Sequence, residues 1–315
     1  MTVALIDGDI IAYKSAIISS DIHDDVTFYD PTSLKRNIDI MVKDWKTKAK
    51  AGKVVICLSS EDHRYFRHKV YRDYKGNREE RERPKALEDA YDHLRETYDC
   101  AWRQGLEADD MMGILSGSPD ISDPVIVSID KDMLTVPCKL LNPNKMKRPM
   151  RVREGSANRT MMLQALIGDS TDNYPGVPGI GPIRAEKLLN DSVRLNDMYQ
   201  TVVEAFQSEK MALTMIRLAR ILRYDDYDDK KGKVKLWHPT NDVWMKASTR
   251  RTTRKKAESK PSTTSSNAPE ESPVKKRSSS RTRSNTLAGT ERKTRKSRKK
   301  TSRKPNGTSP GYIIY

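Results

Sequence analysis

Three short apolar runs, each giving way to polar or acidic residues, set the frame for this chain. They are "VALIDGD" at 3–9, "KVVICLSS" at 53–60 and "DPVIVSIDKD" at 123–132. Each is too short for a helix and rich in β-branched residues, so each reads as a buried strand. Between them, apolar spacing predicts helices at roughly 31–50, 84–97 and 107–116. Strands alternating with helices predict an α/β fold, a largely parallel central sheet flanked by helices. Such sheets bind ligands beyond the carboxyl ends of their strands. Two of the three strand ends here carry aspartates, and a further strand is expected at 139–143.

From about residue 156 a helical period takes over, through "SEKMALTMIRLARILRY". Residues 1–155 are therefore read as one α/β domain and 156–245 as a smaller helical region. Residues 246–315 are Ser, Thr, Lys, Arg and Pro with little to bury, and a disordered tail is expected. The net charge is +16, but the tail carries +17 and the remainder −1. The basic excess therefore lies outside the part that can fold. The opening has no basic region before its apolar run, and Asp7 and Asp9 interrupt that run, so it is a poor secretory signal. No apolar run approaches the length of a membrane span. Cys57, Cys100 and Cys138 are widely spaced and form neither a metal nor a disulfide pattern.

Acids gather in four places: Asp7 and Asp9; Glu107, Asp109 and Asp110; Asp130 and Asp132; Asp169 and Asp172. A single acid near a helix start often only caps it. The combination asks for more. Glu107 and Asp110 are three apart and share a helix face, with Asp109 near its edge. Asp130 and Asp132 share a side if the strand persists to its end. Asp169 and Asp172 are again three apart. Carboxylates converging in such numbers repel one another unless cations join them. An all-oxygen donor set suits Mg²⁺ or Mn²⁺. More than four carboxylates suggest two ions. Two ions about 4 Å apart can activate water and stabilise the leaving oxygen of a phosphodiester.

The segment "RYFRHKVYRDYKGNREERERPK" (64–85) sets nine Lys and Arg against four acids. Phosphate approaching a carboxylate wall needs such compensation. Lys75 and Arg78 are three apart and point the same way on a helix, and Tyr74 is placed to stack on a terminal base. In "GVPGIGPIRAEKLL" (176–189), Gly176, Gly179 and Gly181 permit a tight turn with outward N–H groups. Pro182 suits the first turn of the helix after it. Phosphates bind such N–H groups without base reading, and Arg184 and Lys187 can reach neighbouring phosphates.

In this order the motifs resemble the 5′ nucleases of the flap endonuclease family, especially phage exonucleases and the 5′-nuclease domains of bacterial DNA polymerases. The resemblance spans roughly residues 3–225. It is carried by "DGD" (7–9), "FRHKVYRDYKGNR" (66–78), "EADD" (107–110), "DKD" (130–132) and "GDSTDNYPGVPGIGPIRA" (168–185). It implies a basic helical arch at about 62–97 and a helix-hairpin-helix that holds duplex, often with K⁺. Asp7, Glu107, Asp109 and Asp130 fall in the first metal region, with Asp110 in the same wall. Asp132, Asp169 and Asp172 fall in the second, and Asp9 orients its loop. Lys75 and Arg78 match the pair that handles the scissile phosphate, and Arg67, in the same motif, is expected to bind substrate. The family's aspartate after the second strand falls on Ser60, with Asp62 nearby.

The activity implied is a divalent-metal-dependent 5′→3′ exonuclease with flap cutting, leaving 5′ phosphates. Two Mg²⁺ are implied, replaceable by Mn²⁺. The implied substrates are DNA with 5′ ends, flaps or nicks, and RNA in RNA–DNA hybrids. A monomer in the cytoplasm of an infected bacterial host is expected, with no membrane partner. The closing "GYIIY" (311–315) is a candidate docking peptide for a replication protein. Two alternatives remain open at this point. A related metal-dependent ribonuclease usually lacks the arch and the hairpin. A non-catalytic branched-DNA-binding protein is expected to lose acids.

Overall fold

The computed structural model describes residues 1–23, 26–78, 83–192 and 194–241, all within one compact unit, Met1–Lys260. The tail with its GYIIY end, and residues 79–82 of the basic segment, lie outside the described residues.

Strand β1 (Val3–Asp7) and helix α1 (Gly8–Ile18) come first, then strands β2 (Ser20–His23) and β3 (Val26–Tyr29) and helix α2 (Pro31–Lys48). Next are β4 (Lys53–Cys57), α3 (Phe66–Val70), α4 (Leu87–Thr97), β5 (Cys100–Ala101) and α5 (Ala108–Ser116). Strands β6 (Pro124–Val127), β7 (Lys139–Leu141) and β8 (Met150–Arg151) come after α5. The remaining helices are α6 (Glu154–Ile167), α7 (Pro182–Leu188), α8 (Leu195–Phe206) and α9 (Glu209–Ala219). Between α6 and α7, β9 (Gly168–Asp169) pairs with β10 (Tyr174–Pro175).

The main sheet runs β5-β4-β1-β6-β7-β8. Its pairings are parallel except the last, β7 with β8. Strand β1 lies inside the sheet and is buried throughout, which is why its sequence is a continuous apolar run. Successive side chains still alternate between faces. Ala4 and Ile6 join Ile11, Leu34, Ile38 and Leu94 of α1, α2 and α4. Leu5 joins Met111 and Met112 of α5 on the other face. A third cluster, including Met161, Met162, Met215 and Ile216, packs α6 against α9.

Strand β1 ends on its acid, Asp7, whereas β6 stops short of Asp130 and Asp132. Asp7 Oδ1 accepts from Ile10 N at 3.2 Å and caps α1. The run at 123–132 is a strand only over Pro124–Val127. Asp130 then accepts from Asp132 N at 2.8 Å and caps a 3₁₀ turn, Lys131–Thr135. Asp130 and Asp132 therefore do not share a strand face: a local carboxylate–amide bond turns the chain first. Helix α4, inside the expected arch, buries Ala90 and Leu94 in the core. The segment over the carboxylates is the stretch before it.

Candidate active site

Asp7 and Asp130 leave the carboxyl ends of adjacent strands β1 and β6, and Glu107 and Asp109 start α5. Ser128 Oγ donates to Asp7 at 2.7 Å. Ser59 donates its N–H and hydroxyl to Asp9 and accepts from Ala108 N at 3.0 Å. One serine after β4 thus ties the first turn of α1 to the start of α5. Burial, then the charges of Asp9 and Asp130, push Asp7 up to about 7. Burial, then Asp130, Asp7 and Glu107, raise Asp109 well above the usual carboxylate range. Asp132 is pushed up to about 7 by burial and then by Asp130, with Asp169 and Asp172 adding to it. Two neighbouring groups of acids result, and Asp130 is felt by both.

Asp169 and Asp172 are not on a helix. Asp169 Oδ1 accepts from Thr171 N at 2.7 Å and Asp172 N at 3.3 Å, closing a turn after β9. Lys131 reaches Asp169 at 3.4 Å.

The basic segment enters this site more deeply than its charge pattern suggests. Arg67 is 2% exposed. Its five N–H donors are all engaged: Glu107 at 2.6 Å, Asp110 at 2.6 and 2.8 Å, Leu218 O at 3.2 Å and Arg220 O at 2.7 Å. The expected substrate role is corrected, because no donor remains for a phosphate. Asp110, fully buried, also accepts from Leu222 N at 3.1 Å and Glu107 N at 3.3 Å. Both its oxygens are thereby spent on holding α5, Arg67 and the chain after α9 together, so its expected place among the cation ligands is corrected.

Tyr74 is also corrected. It is 2% exposed, packed in the third cluster, and its hydroxyl donates to Glu107 and Asp172, each at 3.0 Å. No ring face is open to a base. Lys75 does reach the carboxylates, donating to Glu107 and lying 3.6 Å from Asp172. Arg78 donates to Asp172 at 2.8 Å. Against the upward push of burial, Lys75 and then Arg67 hold Glu107 down at about 2. Ser60 is buried and donates to Asp62 at 2.7 Å. Asp62 also accepts from Arg64 N at 3.1 Å and Gln104 at 2.6 Å, so its oxygens hold its own loop to the stretch between β5 and α5.

In the glycine turn the three glycines do different things. A Cβ on Gly176 would lie 2.2 Å from the backbone of Ile167, so this glycine permits close packing on the end of α6. Gly179 takes a φ of +76° and makes the turn itself. Gly181 caps α7. Arg184 folds back onto Gly179 O at 2.7 Å, and Lys187 is exposed.

Tyr74, Glu107, Asp109, Asp132, Gln164 and Asp172 line one cleft. Gln164 donates to Asp132, and its own Oε1 is buried without a hydrogen-bond partner. Ser59, Ser128 and Gln164 escaped the sequence pattern. Only the serines left a trace, as polar residues directly after apolar strands. Among the described residues, no three His, Cys, Asp or Glu side chains close on a common point as a ligand set. Glu107 is turned to Lys75 and Arg67, Asp172 to Arg78, and Asp132 to Gln164. The donors nonetheless suit a hard divalent cation. They are all oxygen, the acids carry uncompensated repulsion, and one buried amide oxygen lacks a donor.

Residues 2–157 match the family described as "5'-3' exonuclease, N-terminal resolvase-like domain". Residues 156–223 match "5'-3' exonuclease, C-terminal SAM fold". The exodeoxyribonuclease of Enterobacteria phage T3 is 26% identical over 250 residues, 67% of this chain and 82% of that protein. The exonuclease of Escherichia phage T7 is 24% identical over 249 residues, 67% of this chain and 83% of that one. Among solved structures, a bacteriophage T5 flap endonuclease in a pseudo-enzyme–product complex with DNA and metal ions superposes with a TM-score of 0.55. That likeness covers 81% of this chain and 98% of the other at 17% identity, and it concerns the fold.

Proposed function

Because the chain belongs to the 5′-3′ exonuclease family, we propose that it is a divalent-metal-dependent phosphodiesterase that hydrolyses DNA from 5′ ends and at flaps. The observation that carries this is the double group of acids at the carboxyl edge of the sheet, with Lys75 and Arg78 directly against it. Asp7, Glu107, Asp109 and Asp130 would hold cations on one side, and Asp132, Asp169 and Asp172 on the other. Divalent ions bound there would supply positive charge to the attacking and leaving oxygens of an in-line displacement.

The chain's own residues do the rest. Ser59 and Ser128 fix the orientation of Asp9 and Asp7. Gln164 aims Asp132 into the cleft. Arg67 and Asp110 fix Glu107 from behind, since an ionic network whose donors are all used has one low-energy arrangement. Lys75 and Arg78 exchange their carboxylate partners for the scissile phosphate and offset the charge that grows on it. Water attacks phosphorus and the P–O3′ bond breaks. The 3′ oxygen leaves as the hydroxyl of the released 5′ piece, and the new 5′ phosphate stays on the strand held in the duplex. Gly179, Gly181 and Lys187 at the hairpin hold duplex phosphates without reading bases, and a K⁺ ion there would complete that grip.

Two Mg²⁺, with Mn²⁺ as substitute, best match the acid count. RNA strands of RNA–DNA hybrids fit as substrates, since the proposed contacts among the described residues are to phosphates and not to bases. A monomer acting in the cytoplasm of an infected bacterial cell, with a replication partner docked on the tail, completes the proposal. The test is cleavage of end-labelled flapped, nicked and hybrid duplexes, with Mg²⁺ or with EDTA. Mg²⁺-dependent products bearing 5′ phosphates are expected. Products unaffected by EDTA, or no cleavage of any substrate, would overturn the assignment.

A further inference from the structure

The segment that carries Lys75 and the loop that carries Asp169 and Asp172 lie far apart in the chain, yet their backbones are laced together. Lys75 N donates to Asp172 O at 2.9 Å. Asn77 Nδ2 donates to Ser170 O at 2.9 Å, and Arg78 Nε to Thr171 O at 3.4 Å. In the opposite direction, Asn173 Nδ2 donates to Asp73 O at 2.7 Å. Each side thus offers one asparagine amide to a main-chain carbonyl of the other.

Both sides are also held in an uncommon backbone conformation. Lys75 has a φ of 55° and Asn173 a φ of 53°. Asparagine tolerates this left-handed region, but a lysine adopts it only where the surroundings hold it there. The main candidates to hold it are the amide bonds just described. They bracket Lys75 on both sides, at Asp73 and at Asn77. Lys75 is also the residue whose ammonium reaches Glu107.

We propose that Asn77 and Asn173 are positioning residues, a reciprocal amide clasp that fixes the backbone of Lys75 and so aims its ammonium into the cleft. The proposal rests on the role given above to Lys75. The physical advantage is preorganisation. With its backbone held, Lys75 passes from Glu107 and Asp172 to an incoming phosphate by side-chain rotation alone, and no loop has to be ordered at that step. The clasp also joins the basic segment to the second group of acids, so phosphate contacts and cation ligands keep one spacing. Neither asparagine contacts a carboxylate of the cleft, so neither is a ligand or a reacting group.

The experiment is a double-mutant cycle on the full chain. Asn173→Gly keeps the freedom for a positive φ and deletes only the amide donor. Asn77→Ala deletes the other donor at an exposed position. Each should lower the single-turnover cleavage rate about tenfold, the worth of one good hydrogen bond, with substrate affinity and thermal midpoint near wild type. In a Lys75→Ala background the same substitutions should have almost no further effect, since coupled residues are not additive. Full additivity, or wild-type rates in both single variants, would overturn the clasp. The proposal is also read without activity, by hydrogen exchange at the Lys75 amide. Protection should fall in Asn173→Gly, and unchanged protection would count against the clasp. If the unmutated chain cleaves nothing, the functional assignment fails, while the exchange measurement still decides the clasp.

Discussion

Arg67 shows how far one residue's part can lie from its apparent chemistry. In the sequence it is one cation among nine in a polar run. In the fold it is a buried hub between Glu107, Asp110 and two main-chain carbonyls. Removing one partner of such a network leaves buried charge unpaired. Arg67→Met should therefore cost about 3–5 kcal/mol of folding stability, measured by urea unfolding. Arg67→Lys should recover little of it, because an ammonium cannot match the bidentate fork on Asp110. A loss within about 0.5 kcal/mol, the range of an ordinary surface substitution, would show that the network is not formed.

Among elements, the turn from β10 into α7 separates two uses of glycine. Gly176 sits against the carbonyl end of α6, where a Cβ would meet backbone at 2.2 and 2.3 Å. Gly179 has room, the nearest atom being the flexible tip of Arg184 at 3.6 Å, but its φ is +76°. Gly179→Ala should cost about 1–2 kcal/mol of strain. Gly176→Ala should cost about 3 kcal/mol or more, since backbone cannot step aside as a side chain does. Thermal denaturation of the two variants measures the difference, and equal losses would contradict the packing. At the same scale, Asp7 and Asp130 end their strands by capping the next helical turn. Placing the acid at the last residue of β1, and three residues past β6, sets both on the carboxyl edge of the sheet.

For the whole molecule, charge is divided by position along the chain: residues 246–315 carry +17 and the rest carries −1. A nearly neutral body gains little from long-range attraction to DNA. A basic tail gains affinity by releasing counterions, with a slope of about −0.9 per phosphate neutralised in log affinity against log salt. A chain ending at residue 245 should therefore bind duplex more weakly at low salt and with a shallower slope. Its single-turnover cleavage rate should be unchanged, because every proposed ligand lies before residue 190. Parallel salt dependences for the long and short chains would show that the tail does not contact DNA.

The amino-acid sequence by itself determined the class of fold and the inventory of the site. Apolar runs of strand length, acids just beyond them and a glycine turn are local signals. Their physics of burial, capping and backbone freedom acts within a few residues. The strand order, with β1 and β6 adjacent, could be inferred only as far as the alternation implied a parallel sheet. The tertiary structure alone decided which polar groups are free. Arg67, Tyr74, Asp110 and Lys75 look equally solvated in the chain. Three are buried by α5, β10 and the segment after α9, and only Lys75 keeps a charge to offer in the cleft. The amides of Gln164, Asn77 and Asn173 were invisible for the same reason. An amide has no charge and no period, so its part depends on which carbonyl or carboxylate the fold brings within about 3 Å of it.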